Sequence, residues 1–213
     1  MAAAEERDEC YIAIGDIHGM AGHLDALLAQ VPTGGTLVFL GDYIDRGPQA
    51  PDVLTRLLAL EAERPCVFLR GNHEALALAS LVDGDAEMER VWLRNGGTTT
   101  LKSYRWTLPE AHVAFLQRTR TIFLTPLYCF VHAGLRPGVS PEATPDHDRL
   151  WLREPFLSAD YDWGRLVIHG HTPTTDGQPD VRPHRINIDT GAVYGGPLTA
   201  LVLPERRFLS VRG

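Results

Sequence analysis

Three short apolar runs in the first third of the chain each stop at or just before a glycine that opens a cluster of carboxylate, amide or imidazole side chains. Tyr11 to Ile14 leads into Gly15-Asp16-Ile17-His18-Gly19. Thr36 to Leu40 leads into Gly41-Asp42-Tyr43-Ile44-Asp45-Arg46-Gly47, and Cys66 to Leu69 into Arg70-Gly71-Asn72-His73-Glu74. Apolar runs of this length, bounded by glycine and polar residues, read as strands. Between them, Leu24, Leu27, Leu28 and Val31 recur at helical spacing before Pro32, and Val53, Leu54, Leu57 and Leu58 form one apolar stripe after Pro51. This βαβαβ alternation predicts an α/β domain. In open α/β sheets ligands sit beyond the carboxyl ends of the strands, so the three clusters are expected to converge.

The second half returns to strands at Thr121 to Leu124, Tyr128 to Val131, Leu166 to Ile168, Arg185 to Ile188 and Leu198 to Leu203. Two of these also end near histidine: His132 before Ala133-Gly134, and His171 in His169-Gly170-His171-Thr172-Pro173. In the middle, Ala86 to Arg94 reads as a helix stopped by Asn95-Gly96-Gly97. Thr107 with Glu110 has capping-box spacing ahead of Val113, Phe115 and Leu116. The Pro- and Gly-rich stretch from Arg136 to His147 reads as a functional loop. No repeat, low-complexity tract or linker divides the 213 residues. One domain, 1–213, is expected, with 1–10 as a short loose tail.

Charge narrows the partners. With 20 Lys and Arg against 27 Asp and Glu, the net charge is -7, which argues against a broad basic surface for nucleic acid or anionic lipid. Bound cations can still make one cleft locally positive toward an anionic substrate. Cys10, Cys66 and Cys129 are far apart and form no Cys-x-x-Cys pair, which suits a reducing compartment. Neither a signal-peptide pattern nor a bilayer-length apolar run is found, so a cytoplasmic protein without a membrane partner is expected.

The strand-end clusters supply Asp16, His18, Asp42, Asn72, His132 and His171 as candidate metal ligands. Mixed oxygen and imidazole donors suit first-row divalent ions rather than calcium. Asp42, flanked by ligands on both sides, is the natural bridge between two ions about 3.5–4 Å apart, which would acidify a shared water for in-line attack on phosphorus. Arg46 offers a planar donor fork to phosphate, and Arg153 is the candidate for a second. His73 is placed to protonate the leaving alkoxide, and Asp45 to orient it through the far ring nitrogen. His169 competes with His171 as a ligand. Glu74, at a helix start, is read as structural. Trp106, Trp151 and Trp163 are read as packing groups, and His23, His112, His147 and His184 as surface residues.

Gly-Asp-x-His-Gly, Gly-Asp-x-x-Asp-Arg-Gly, Gly-Asn-His-Glu, His-Ala-Gly and Gly-His-Thr together resemble the PPP-type serine/threonine phosphatases, in their small bacterial and phage branch. The resemblance runs from about Tyr11 to Leu203 and includes Trp92 to Gly97 and Asp189 to Val193. It implies a calcineurin-like metallophosphoesterase fold, two mixed β-sheets packed as a sandwich flanked by helices. It also implies Asp16, His18 and Asp42 on one metal, with Asp42, Asn72, His132 and His171 on the other. His73 and Asp45 would then be the acid pair, and Arg46 and Arg153 the phosphate contacts. His171 fits its pattern better than His169. Manganese is the implied metal, with iron, zinc, nickel and cobalt open. The implied substrate is phosphoserine or phosphothreonine in a protein or peptide, and the alternative is a dinucleoside polyphosphate of the diadenosine tetraphosphate type. Related tetraphosphate hydrolases lack an acid at the place of Asp45, have Asp where this chain has Glu74, and are longer between His-Ala-Gly and Gly-His. On that ground the sequence favours the phosphoprotein.

Overall fold

The computed structural model describes residues 10–212. Of the tail expected at 1–10, all but Cys10 lies outside the described residues. Two five-stranded sheets carry the fold. In the first, β1 (Tyr11–Ile14), β2 (Thr36–Phe39) and β3 (Cys66–Phe68) run parallel, while β9 (Leu198–Leu203) and β10 (Arg207–Val211) complete it antiparallel in the order β10-β9-β1-β2-β3. The second holds β4 (Ile122–Leu124), β5 (Tyr128–Val131), β6 (Leu166–His169), β7 (Asp180–Val181) and β8 (Arg185–Asn187) in the order β4-β5-β6-β8-β7. Its central strands β5, β6 and β8 are parallel.

The period-two geometry of a strand explains why these runs are apolar throughout. Tyr11 and Ala13 face one way and pack with Val38, Leu40, Phe130, Ile168, Ile186 and Leu201 in a core shared by both sheets. Ile12 and Ile14 face the other way, with Leu37 and Phe39, against helices α1 (Ala21–Leu28), α2 (Ala50–Glu63) and α6 (Glu110–Gln117). On the outer face of the second sheet Cys129, Val131 and Val167 meet Leu135, Phe156 and Trp163. The fold is therefore the expected sandwich of two mixed sheets flanked by helices.

Several details differ from expectation. The helix read from Ala86 to Arg94 ends at Trp92 as α4 (Ala86–Trp92), following α3 (Asn72–Leu81). The chain then makes a wide turn over Leu93–Gly97 and resumes as α5 (Thr98–Ser103). Gly96, at φ 107, breaks the helix without ending the helical run. The stretch read as a loop to His147 contains the start of a short helix, α7 (Asp146–Trp151). Strands β7 and β10 were not anticipated; both are edge strands with exposed positions, which hides the alternation. His112 is buried and its Nδ1 lies 2.6 Å from the Tyr104 hydroxyl, so it is not a surface residue. Trp106 is 62% exposed and packs little, whereas Trp163 is buried against Phe156. Among the described residues no helix is long and apolar enough to cross a membrane.

Candidate metal centre

Within each sheet the strand-end loops are joined by backbone hydrogen bonds: Ile17 and His18 amides donate to Asp42 O, and Gly170 N donates to His132 O. Between the sheets, His171 N donates to Asp16 Oδ2 at 3.0 Å and His132 Nδ1 to Leu40 O at 2.9 Å. This stitching brings Asp16, His18, Asp42, Asn72, His132 and His171 into one buried cluster. Among the described residues, two groups have ligand atoms within 4.8 Å of one another: His18, Asp42 and His73, and Asp42, His132 and His171. Asp42 belongs to both. His169, also buried, belongs to neither, and its Nε2 faces Arg185.

Close backbone approach is required here. A Cβ on Gly71 would stand 2.0 Å from Asp42 Oδ1, and one on Gly170 would stand 2.1 Å from Asp16 Oδ1. Backbone strain also gathers at this point. Of eight described non-glycine residues with positive φ, five are His18, Asp42, Asp45, Arg46 and His171.

The donor set fits cations. His18 Nδ1 donates to Ile44 O at 2.8 Å and His132 Nδ1 to Leu40 O at 2.9 Å, which leaves each Nε2 as a lone pair facing inward. His132 Nε2 then lies 3.0 Å from Asn72 Oδ1 and 3.5 Å from Asp42 Oδ1, and His18 Nε2 lies 3.4 Å from Asp42 Oδ2. Acceptors facing acceptors, as His132 Nε2 faces Asn72 Oδ1 and Asp42 Oδ1, are repulsive unless a proton or a cation lies between them, whereas the His18 Nε2 lone pair is met here by Arg46 Nη1. Burial disfavours the proton, since it pushes His18 down to about 3 and His171 to about 2, and lowers His132. Asp16 Oδ1 is buried with no partner. Burial raises Asp16 well above the usual carboxylate range, and its neighbours Asp189 and Asp42 add to this. Burial opposes ionisation of Asp42 as well, but His132, His73 and His18 hold it well below that range.

Three further features complete the cleft. His73 Nδ1 lies 2.7 Å from Asp45 Oδ2, while His73 Nε2 is buried without a partner. Burial works against the charged ring, yet Asp42 and Asp45 outweigh it and raise His73. Arg46 Nη1 donates to His18 Nε2 at 2.6 Å, and its guanidinium sits 5.6 Å from the Tyr194 ring centroid. Arg153 lines a cleft of about 500 Å³ together with Asp42, Arg46, Asn72, Trp151 and His171. Trp151, read as a packing group, thus also forms a wall of this cleft.

Sequence reasoning gave Glu74 too small a part. Its carboxylate accepts the amides of Asp42 (2.7 Å), Tyr43 (2.8 Å) and Gly71 (2.9 Å), so it ties the second cluster to the third. Burial, then Asp42, pushes it up to about 7. Glu74→Ala leaves these buried donors unpaired, at roughly 1–3 kcal/mol each before relaxation. The expected net loss is about 3 kcal/mol, or roughly 6–12 °C in Tm for a chain of this size. Calorimetry checks it, and a fall under 2 °C would show that Glu74 is dispensable to the loop. Asp189, buried beside Asp16, was also passed over, although Asp189 to Val193 carries part of the resemblance.

Residues 11–196 match the family model described as calcineurin-like phosphoesterase. The chain is 26% identical to the asymmetrical bis(5'-nucleosyl)-tetraphosphatase PrpE of Halalkalibacterium halodurans over 235 residues, covering 93% of this chain and 92% of that one. It is 30% identical to serine/threonine-protein phosphatase 1 of Salmonella typhimurium over 204 residues, 87% and 88% of the two chains. A crystal structure of a putative diadenosine tetraphosphatase superposes with a TM-score of 0.76 at 24% identity, covering 99% of this chain and 96% of that one.

Proposed function

The chain belongs to the calcineurin-like phosphoesterases, and from that premise we propose that it hydrolyses dinucleoside tetraphosphates off-centre, as a mononucleotide and a nucleoside triphosphate. The observation that carries this is the end-to-end similarity to asymmetrical tetraphosphatases, more than nine-tenths of both chains. It reverses the order expected from Asp45 and Glu74, which put the phosphoprotein first. The cleft agrees with it: about 500 Å³ between Arg46 and Arg153, with Trp151 as an aromatic wall, accommodates a polyphosphate and part of a base.

In this reading Asp16, His18, Asp42, Asn72, His132 and His171 hold two divalent ions, manganese by preference. Bound there, such ions supply Lewis acidity toward phosphate oxygens and acidify water. Arg46 and Arg153 grip the non-bridging oxygens and fix the phosphorus for in-line attack. His73 delivers a proton from Nε2 to the departing oxygen. Asp45, on Nδ1, keeps that ring in one tautomer and stabilises its charge.

A second reading, phosphoserine or phosphothreonine hydrolysis, is favoured by the Asp45–His73 pair itself. A phosphate group leaves as a stable anion and needs little protonation, whereas a serine alkoxide needs it greatly. The similarity to the Salmonella phosphatase points the same way. A panel with added manganese separates the two readings, comparing diadenosine tetraphosphate with phosphoserine, phosphothreonine and phosphotyrosine peptides. The expected result is higher kcat/KM on the dinucleotide, with ATP and AMP as products. Preference for a phosphopeptide, or cleavage to two ADP, would overturn the proposal.

A further inference from the structure

Asp45 is more heavily bound than an orienting carboxylate needs to be. Besides His73, its oxygens accept Trp92 Nε1 at 2.8 and 3.1 Å and the Thr100 hydroxyl at 2.7 Å. Thr100 Oγ1 in turn accepts the Asp45 amide at 2.8 Å, so this hydroxyl is clamped between the backbone and the carboxylate of one residue. Asp45, Trp92 and Thr100 are fully buried. All three partners come from far along the chain, and two of them flank the wide turn between α4 and α5.

The turn explains how both reach the same carboxylate. A straight helix would turn position 100 away from the face of position 92, at eight residues' separation and 3.6 per turn, by roughly 80°. The wide turn and the positive φ of Gly96 change that phase. Gly97 has no Cβ, and one placed there would stand 2.7 Å from atoms of the Trp92 indole. The same turn holds the neighbouring residue: Arg46 N donates to Gly96 O at 3.4 Å.

We propose that Trp92 and Thr100 are positioning residues for the leaving-group acid. They fix the Asp45 carboxylate in the plane and at the distance that keep His73 Nε2 directed into the cleft. The proposal rests on the reading of His73 as that acid. In the step concerned, a water oxygen forms a bond to phosphorus and releases a proton to solvent, the P–O bond to the leaving group breaks with its electron pair on the leaving oxygen, and the proton on His73 Nε2 moves to that oxygen. Asp45 remains a carboxylate throughout, and the ring recovers its proton from water. Besides His73, two donors, Trp92 Nε1 and the Thr100 hydroxyl, hold that carboxylate and fix its orientation toward His73 Nδ1.

The test compares leaving groups on the manganese-loaded enzyme. Thr100→Val removes one donor at nearly constant shape, and Trp92→Phe removes the other together with part of the buried indole's volume. Both are measured on an alkyl phosphate and on a nitrophenyl phosphate, beside Thr100→Ser and His73→Asn. Each donor-removing variant is expected to lower kcat on the alkyl ester about tenfold, part of the ~10²–10⁴ a general acid supplies. On the aryl ester, which leaves unaided, kcat should change less than twofold, and KM should hold on both. Thr100→Ser keeps the hydroxyl and should restore the alkyl rate. Combined with His73→Asn, neither donor removal should cost anything further. Equal losses on both esters, or a further loss in the His73→Asn background, would reduce the two residues to packing groups. If wild type has no His73-dependent alkyl turnover, the acid reading fails and the positioning role fails with it. If that turnover exists and both donor-removing variants match wild type, only the positioning role fails. Should Thr100→Val not fold, Trp92→Phe carries the comparison alone.

Discussion

Asp42→Asn should lose both metal retention and turnover, the latter by more than about 10³-fold, since losing only an outer partner of a metal ligand already costs ~10–100-fold. The reason lies in how many inward-facing groups share this carboxylate. Oδ2 faces His18 Nε2 at 3.4 Å, and Oδ1 faces His132 Nε2 at 3.5 Å and accepts the His73 amide at 3.1 Å. It is the one carboxylate common to both candidate ligand groups. The amide keeps the shape and removes the charge that offsets two cations. Asparagine also tolerates the left-handed backbone that Asp42 adopts at φ 54, so the fold should survive. Elemental analysis of metal per chain, read beside turnover and thermal unfolding, checks all three points. A folded Asp42→Asn protein with two metals and near-normal turnover would remove the basis of the dinuclear reading.

His73→Asn should cost about 10²–10⁴-fold in kcat on an alkyl phosphate, and much less where the leaving group is a phosphate chain or a nitrophenolate. His73 is buried with an unpartnered Nε2 and an Nδ1 held by Asp45, the arrangement of a proton donor with one free outlet. KM should move little, because in the proposed site Arg46 and Arg153, not His73, hold the phosphate, and the candidate metal ligands are unchanged. The ratio of alkyl to aryl losses is the informative quantity. Equal losses would mean that the substitution disturbed the adjacent ligand Asn72. No loss on the alkyl ester would remove His73 from the mechanism. A small loss on diadenosine tetraphosphate beside a large one on phosphoserine would explain how one site can serve both readings.

Much of the centre is written locally. Gly-Asp and Gly-Asn at strand ends are short patterns, and a glycine there is needed because the Cβ of Gly71 or Gly170 would occupy the place of a carboxylate oxygen. The strands themselves are marked by unbroken apolar runs, since both of their faces are covered. Alternation of strands and helices then sends the loops to one rim. So the α/β class and the convergence of Asp16, His18, Asp42, Asn72, His132 and His171 could be read from the chain, while the sandwich of two sheets was implied only by the family resemblance that these motifs carry.

What the chain alone did not mark are contacts between ordinary residues distant in sequence. Trp92 and Thr100 meet Asp45 across 47 and 55 positions, and neither lies in a pattern that announces a hydrogen bond to it. Glu74 looked like a helix-start acid because its local role is genuine, while its bonds to Asp42 and Tyr43 exist only once β2 and β3 pair. His112 looked exposed until Tyr104 packed over it. The walls of the cleft at Trp151 and Arg153 depend on where a six-residue helix seats. Local sequence sets which side chains stand at a strand end. Hydrogen-bond geometry, which needs partners within about 3 Å, is settled only by packing.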